Sequence, residues 1–263
     1  MARFCSLFSS SSGNSTFLSS ATTSILVDAG VSARRMVKAL NDREIDPKSI
    51  GGMFLTHEHI DHINAVRILA TNHNIPVYAT EGTLEALKES GVINGKFTAE
   101  VIPESGINIG DLFIKSFKTP HDSRESCGYT IIMPDGQKVA VATDIGHMTD
   151  EIMSNLKGSS LVMLESNHDE GMLKNGPYPY YLKRRILSDV GHLSNNSCAE
   201  AVTELLKSGT VRFFLGHLSR DNNFPELAYE TSASALKTIG AVEGRDFFLE
   251  VCKIENDCDV IRF

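Results

Sequence analysis

Residues 57 to 62 read His57-Glu58-His59-Ile60-Asp61-His62 and follow directly on the apolar run Met53-Phe54-Leu55-Thr56. Three imidazoles and a carboxylate thus fall within six residues, at the mouth of a buried strand. These are the donor types that zinc takes first, and manganese and iron accept them too. In extended or turning backbone His57 and His59 project to the same side and can grip one ion together. Asp61 and His62 then point elsewhere and can hold a second. A polar turn with surface histidines is the competing reading, and it leaves four potential ligands in one turn unexplained.

A pair of ions needs more donors than one turn can give. Three further positions qualify, each just past an apolar strand: His121 in Thr119-Pro120-His121-Asp122, Asp144 in Ala142-Thr143-Asp144-Ile145-Gly146, and His217 after Phe213-Phe214-Leu215-Gly216. Taken singly, a histidine at a strand end is usually a surface or capping residue, and an aspartate a turn residue.

The elements that must position these groups are legible in the apolar periodicity. Strands are expected over residues 3–8, 16–19, 24–28, 53–56, 77–79, 112–114, 129–133, 139–142, 161–164, 212–216 and 247–251. Helices are expected over 32–41, around Ala65, Ile68 and Leu69, over 83–88 with Gly91 as a C-terminal cap, from Ser197, and over 224–239. Ser197-Cys198-Ala199-Glu200 reads as a capping box opening the helix that turns Val202, Leu205 and Leu206 inward. Residues 169–195 are the least regular stretch. Tyr178, Tyr180 and Tyr181 cluster there and are expected to pack a lid, although such rings can also stack on bases. Lys183-Arg184-Arg185 reads as a solvated helix face in preference to a contact with a nucleic-acid backbone. No repeat, low-complexity tail or linker rich in proline or glycine divides the chain. The expectation is one α/β domain spanning residues 1–263, with two sheets covered by helices.

Composition narrows the function. The 263 residues are 41% hydrophobic and 22% charged, as in an ordinary globular protein with a sizeable core. No stretch approaches the roughly 20 apolar residues of a membrane span. The N-terminus enters strand-like sequence without the apolar region and cleavage site of a signal peptide, so a cytoplasmic location is expected. Cys5, Cys127, Cys198, Cys252 and Cys258 are scattered, form no CxxC pair, and read as reduced structural thiols. The formal net charge of −8 argues against avid binding of nucleic acid through a broad basic surface. It is compatible with local engagement of a phosphate backbone, because metal ions can supply positive charge where side chains do not.

The series His57-x-His59-x-Asp61-His62, His121, Asp144 and His217 resembles the metallo-β-lactamase superfamily in type and order over nearly the whole chain. The resemblance implies a four-layer αββα sandwich with the metal site along one edge of the sheets. It implies that His57, His59 and His121 hold one ion, that Asp61, His62 and His217 hold another, and that Asp144 bridges them. His59 stands where the flavodiiron branch has glutamate, which favours hydrolysis over oxygen reduction. Glu165, after Leu161-Val162-Met163-Leu164, and His192, before a helix, resemble the pair that phosphodiesterases of this superfamily use to pass a proton to the leaving oxygen, a task that suits imidazole. The other reading is that the pair merely orients metal ligands. Catalytic roles are therefore expected for Asp61, Glu165 and His192.

Four further phrases are similar to a narrower group, the YycJ-like (WalJ-like) hydrolases: Ser11-Ser12-Gly13-Asn14-Ser15, Glu165-Ser166-Asn167-His168-Asp169, Gly191-His192-Leu193-Ser194-Asn195 and His217-Leu218-Ser219-Arg220-Asp221-Asn222-Asn223. This resemblance implies a metal-dependent 5′→3′ DNA exonuclease linked to mismatch repair, acting on single- or double-stranded ends, with two divalent ions, zinc or manganese or iron. Ser12, Asn14, Asn167, His168 and Asn222 become candidate substrate contacts. The serine-rich loop can offer backbone and hydroxyl donors to a phosphate, or can be a plain turn. Two other functions compete: a hydrolase of small phosphodiesters or thioesters, and a regulatory protein with a closed structural metal site tied to cell-wall two-component signalling.

Overall fold

The computed structural model describes residues 2–256 and 260–263. Within them the chain forms two seven-stranded sheets. The first contains β1 (Arg3–Phe8), β2 (Ser15–Ser19), β3 (Ser24–Val27), β4 (Ile50–Phe54), β5 (Val77–Ala79), β6 (Ala99–Val101) and, beside β1, the last strand β14 (Ile261–Arg262). The second runs in order from β7 (Ile107–Ile109) through β8 (Leu112–Lys118), β9 (Cys127–Ile132), β10 (Lys138–Ala142), β11 (Leu161–Glu165) and β12 (Arg212–Gly216) to β13 (Phe248–Val251). Within the first sheet β3 to β6 are parallel, and within the second β10 to β13 are parallel.

The period-two alternation of each strand builds the layers. Ile25, Val27, Val139, Val141, Leu161, Met163 and Phe214 meet Phe4, Phe54 and Tyr129 in a core between the sheets. Their neighbours Ala140, Ala142, Val162, Leu164, Phe213 and Leu215 face the other way, onto α5 (Asp150–Leu156), α8 (Asn195–Lys207) and α9 (Pro225–Thr238). Leu26, Met53 and Leu55 likewise face α1 (Ala33–Asn41), α3 (Val66–His73) and α4 (Glu81–Glu89), and the short α2 (Ile60–Ile63) precedes α3 in the chain. Sheets buried on both faces demand the near-continuous apolar strands that the sequence contains. The result is the expected αββα sandwich.

Several elements differ from the sequence expectation. Residues 169–195 are not irregular throughout: they contain α6 (Glu170–Asn175) and α7 (Tyr180–Ile186), each too short to display a full apolar period. The capping box is displaced. Ser194, not Ser197, caps α8, its hydroxyl accepting from the Ser197 amide. The three-residue strands β6 and β7 lack room for a legible alternation. Cys127, Cys198 and Cys252 are free and buried, Cys5 is buried, and Cys258 lies outside the described residues. Among the described residues no helix is long and apolar enough to cross a membrane.

Candidate metal centre

The strands β8, β10, β11 and β12 run in one direction in the second sheet, and β3 and β4 run alike in the first. Each delivers a functional side chain from the loop after its C-terminal end: Asp28 from β3, His57 from β4, His121 from β8, Asp144 from β10, Glu165 at the last position of β11, and His217 from β12. Asp28, Asp144 and His217 hold left-handed backbone, with φ of 62°, 58° and 56°. That conformation is costly for a residue with a Cβ and redirects the side chain sharply off the strand. The motif loop also needs Gly30: a Cβ there would lie 1.6 Å from the Asp61 carbonyl oxygen. Asn14 locks the same loop, its amide donating to that carbonyl and its Nδ2 approaching His62 Nε2 at 3.1 Å.

Four overlapping groups of donors converge: His57, His59 and His121; His57, His62 and Asp144; Asp61, His62 and His217; and Asp144, Glu165, His192 and His217. Within each, the donor atoms lie within 4.8 Å of one another. His57 Nε2 is 3.0 Å from His59 Nδ1. His62 Nε2 is 3.3 Å from Asp144 Oδ2 and 3.5 Å from Asp61 Oδ2, and His217 Nε2 is 3.6 Å from Asp61 Oδ2.

The rear nitrogens explain why the front ones are aimed inward. His62 Nδ1 meets Asp28 Oδ2 at 2.8 Å, His121 Nδ1 meets the Gly191 carbonyl at 3.0 Å, and His217 Nδ1 meets Glu165 Oε1 at 2.8 Å. His57 Nδ1 lies 3.0 Å from the Thr56 hydroxyl, which itself donates to Asp28. Acceptors behind the rings fix the Nδ1–H tautomer and leave Nε2 lone pairs facing the centre. There His121 Nε2, His217 Nε2 and Asp144 Oδ2 are buried without any hydrogen-bond partner. Lone pairs of imidazoles and carboxylates packed this closely repel one another unless a cation lies among them, so the donor set fits divalent metal.

Electrostatics agree. Burial alone would raise Asp144 and Asp61, but the surrounding histidines, His217 and His62 foremost, hold both carboxyls well below the usual range. Burial would likewise raise Glu165, yet His192 and His217 hold it down to about 2. Glu165 is fully buried and accepts from His192 Nδ1 and His217 Nδ1 at 2.8 Å each, and from the Ile145 and Leu193 amides at 2.7 and 3.1 Å. His192 keeps partial exposure, its side chain 14% accessible.

All seven expected ligands therefore meet, with Glu165 and His192 beside them. The expected substrate contacts separate. Ser12 is exposed and meets the Ser10 hydroxyl. Asn167 is committed to the fold, donating to the His217 carbonyl and accepting from the Ser219 amide. Asn222 is buried with Oδ1 unpartnered, and its carbonyl accepts from the Asp169 amide. His168 is buried with neither ring nitrogen paired. Sequence reasoning missed Asp28, Thr56 and the Gly191 carbonyl. Tyr180 and Tyr181, expected to pack a lid, are 76% and 74% exposed.

Comparison with known proteins accords with this geometry. The family model described as the β-lactamase superfamily domain matches residues 23–217. The chain is 36% identical, over 93% of its length and 92% of the relative's, to a Streptococcus pneumoniae protein named exodeoxyribonuclease WalJ. It is equally similar to a Bacillus anthracis protein named exodeoxyribonuclease YycJ. Among solved structures it resembles zinc-bound PqqB of Methylobacterium extorquens (TM-score 0.73, 15% identity, all of both chains) and the metallo-β-lactamase-fold protein YhfI of Bacillus subtilis (TM-score 0.70, 15% identity, 97% and 98% of the chains).

Proposed function

The chain belongs to the β-lactamase superfamily, and from that premise we propose that it is a two-metal exodeoxyribonuclease that hydrolyses phosphodiester bonds from the 5′ end of DNA in the cytoplasm. The supporting observation is the convergence of seven metal-type donors with unpartnered Nε2 and carboxylate atoms, in a chain 36% identical to proteins named exodeoxyribonucleases.

In this reading His57, His59 and His121 would hold one ion, Asp61, His62 and His217 would hold the second, and Asp144 would serve both. Zinc, manganese and iron all suit these donors. The ions, when bound, supply a water nucleophile active at neutral pH and positive charge opposite the phosphoryl oxygens.

The remaining work belongs to the protein. As the nucleophile's oxygen bonds to phosphorus, the bond from phosphorus to the departing sugar oxygen breaks, and that oxygen needs a proton. His192 is the group suited to deliver it: its Nδ1 is fixed by Glu165, which leaves Nε2 for the substrate side. Glu165 orients His192 and His217 together. Asp28 and the Gly191 carbonyl hold the ligand rings in their tautomers.

The test is to incubate protein loaded with Mn²⁺ or Zn²⁺ with DNA labelled at either end. Nucleotide release that begins at the 5′ end is expected. Robust hydrolysis of bis-p-nitrophenyl phosphate without any release from DNA would overturn the reading. The link to mismatch repair belongs to the same proposal, and a raised spontaneous mutation frequency on deletion of the gene is its expected sign.

A further inference from the structure

Helix α7 has the sequence Tyr180-Tyr181-Leu182-Lys183-Arg184-Arg185-Ile186, and only Ile186 of these is buried. Leu182 and Ile186, four apart, mark the face turned inward. Away from that face project the rings of Tyr180 and Tyr181, successive around the helix, 76% and 74% exposed. Two large rings left this open on one short helix are uncommon on a surface that needs none. The Arg184 guanidinium lies over the Tyr180 ring, 6.0 Å from its centroid. From Tyr178 to Gly191 the chain carries three cations, Lys183, Arg184 and Arg185, against Asp189 alone, in a protein whose formal net charge is −8.

This helix is fastened to the metal centre at its C-terminal end. The His192 amide donates to the Ile186 carbonyl at 3.0 Å, and the Gly191 carbonyl accepts from the ligand-type ring of His121. Arg185 pairs with Asp122, the residue after His121, through its Nε and through an Nη2 contact of 2.8 Å. The turn between them requires Gly191, since a Cβ there would come within 2.2 Å of the Ile186 carbonyl oxygen. At the other end Lys183 Nζ ties down the preceding loop through the Lys174 and Gly176 carbonyls. A lid closing over the site would bury its rings against the protein. A fixed helix holding its rings in solvent is instead a platform.

We propose that Tyr180, Tyr181 and Arg184 form a stacking platform that receives the bases of a single-stranded DNA end next to His192. The occupant follows from the chemistry. Exposed aromatic faces bind bases without regard to sequence, and the Arg184 guanidinium, which has no carboxylate partner among the described residues, is placed to meet a backbone phosphate. An acidic peptide would meet the cations but leave the rings in water. Tyr181 stands five residues before Ile186, about 7.5 Å along the helix axis, a span of roughly two stacked nucleotides at about 3.4 Å each. On this reading the platform holds the strand within a few nucleotides of the bond to be cut. The inference rests on the exonuclease reading and specifies how that enzyme grips its substrate.

The experiment measures binding of a fluorescent phosphorothioate oligo-dT, which resists cleavage, to metal-loaded protein by anisotropy. The variant Tyr180→Ala/Tyr181→Ala is expected to bind at least about 30-fold more weakly, since two stacked bases are lost at about 1–3 kcal/mol each. Tyr180→Phe/Tyr181→Phe keeps the ring faces and is expected to bind like wild type. Melting temperatures of both variants report that the fold is retained. Wild-type-like affinity in the alanine variant overturns the platform, as does equal weakening in the phenylalanine variant. A sedimentation shift from dimer to monomer in the alanine variant, with DNA affinity unchanged, would assign the rings to self-association instead. Wild-type protein that hydrolyses bis-p-nitrophenyl phosphate but neither binds nor cuts DNA overturns the exonuclease reading itself, and the platform with it.

Discussion

Glu165 Oε1 lies 2.8 Å from His217 Nδ1 and accepts the same kind of hydrogen bond, at the same distance, from His192. One buried carboxylate thus sets the orientation of a metal-type ligand and of the group suited to donate a proton. By strand parity Glu165 shares the inter-sheet face of Leu161 and Met163, so the sheet that builds the core also fixes this carboxylate.

Glu165→Gln is therefore expected to damage two functions at once. The amide keeps the shape but places an N–H₂ group against donors: His192 and His217 on one side, or the Ile145 and Leu193 amides on the other. Metal content measured by elemental analysis and turnover of bis-p-nitrophenyl phosphate should each fall about 10- to 100-fold. Full metal occupancy with unchanged turnover would show that the carboxylate has no orienting role.

His192→Ala should separate the proton donor from the metal site. A sugar alkoxide leaves poorly without a proton, whereas p-nitrophenolate leaves readily without one. Cleavage of DNA is expected to drop about 10²- to 10⁴-fold, the usual worth of general acid catalysis. Hydrolysis of bis-p-nitrophenyl phosphate should change far less, with metal content intact. Equal losses on both substrates would remove His192 from the leaving-group side.

The metal-type donors are legible in the sequence because their residue types are rare in combination and each follows an apolar strand. The sequence conceals what holds them. Asp28 looks like any turn aspartate, yet it accepts from the Thr56 amide, the Thr56 hydroxyl and His62. The acceptor for His121 is a backbone carbonyl, which has no side-chain signature. Layers and strand directions could be inferred from long apolar strands, but α6 and α7 are shorter than two turns and give no period to read. The tyrosines of α7 are ambiguous in the sequence for a related reason: aromatic rings suggest packing, and only the fold shows Tyr180 and Tyr181 exposed.

Without metal the donor histidines are open to titration, and the metal-free protein is expected to show a stability maximum near pH 6.5. Burial lowers His57 and His121 below their ordinary value, so the unfolded chain binds more protons there and stability falls as pH drops below 6.5. His62 and His217 behave oppositely. Burial disfavours their charge, but Asp144, with Asp28 beside His62, outweighs it and lifts His217 to about 10. Their contribution is complete below pH 6.5 and is lost as pH rises toward 10. Metal binding requires neutral imidazoles, so added Zn²⁺ should stabilise more strongly as pH rises. Melting temperatures from pH 5 to 9, with EDTA and with Zn²⁺, check this. A metal-free curve that climbs steadily to pH 9 would contradict it.

His168 stands apart from the ligand series and gives the sharpest contrast between stability and function. It is 1% exposed, neither ring nitrogen has a partner, and burial pushes its pKa down to about 4, so it is neutral at pH 7. Its backbone is fixed by a bridge to Ser194, and the next amide, of Asp169, donates to the carbonyl of Asn222, whose own Oδ1 is also unpartnered. A buried polar group without a hydrogen bond costs about 1–3 kcal/mol. The fold therefore gains nothing from this imidazole as a polar group, which makes it a candidate for contact with substrate. Replacing it with an apolar side chain of similar size removes the penalty. His168→Leu is expected to melt at the wild-type temperature or about 2–4 °C higher for each kcal/mol recovered. Its affinity for DNA ends should fall, while turnover of bis-p-nitrophenyl phosphate stays within a few-fold of wild type. A marked drop in melting temperature would mean that both ring nitrogens are satisfied within the folded protein, and His168 would then belong to the architecture and not to the substrate site.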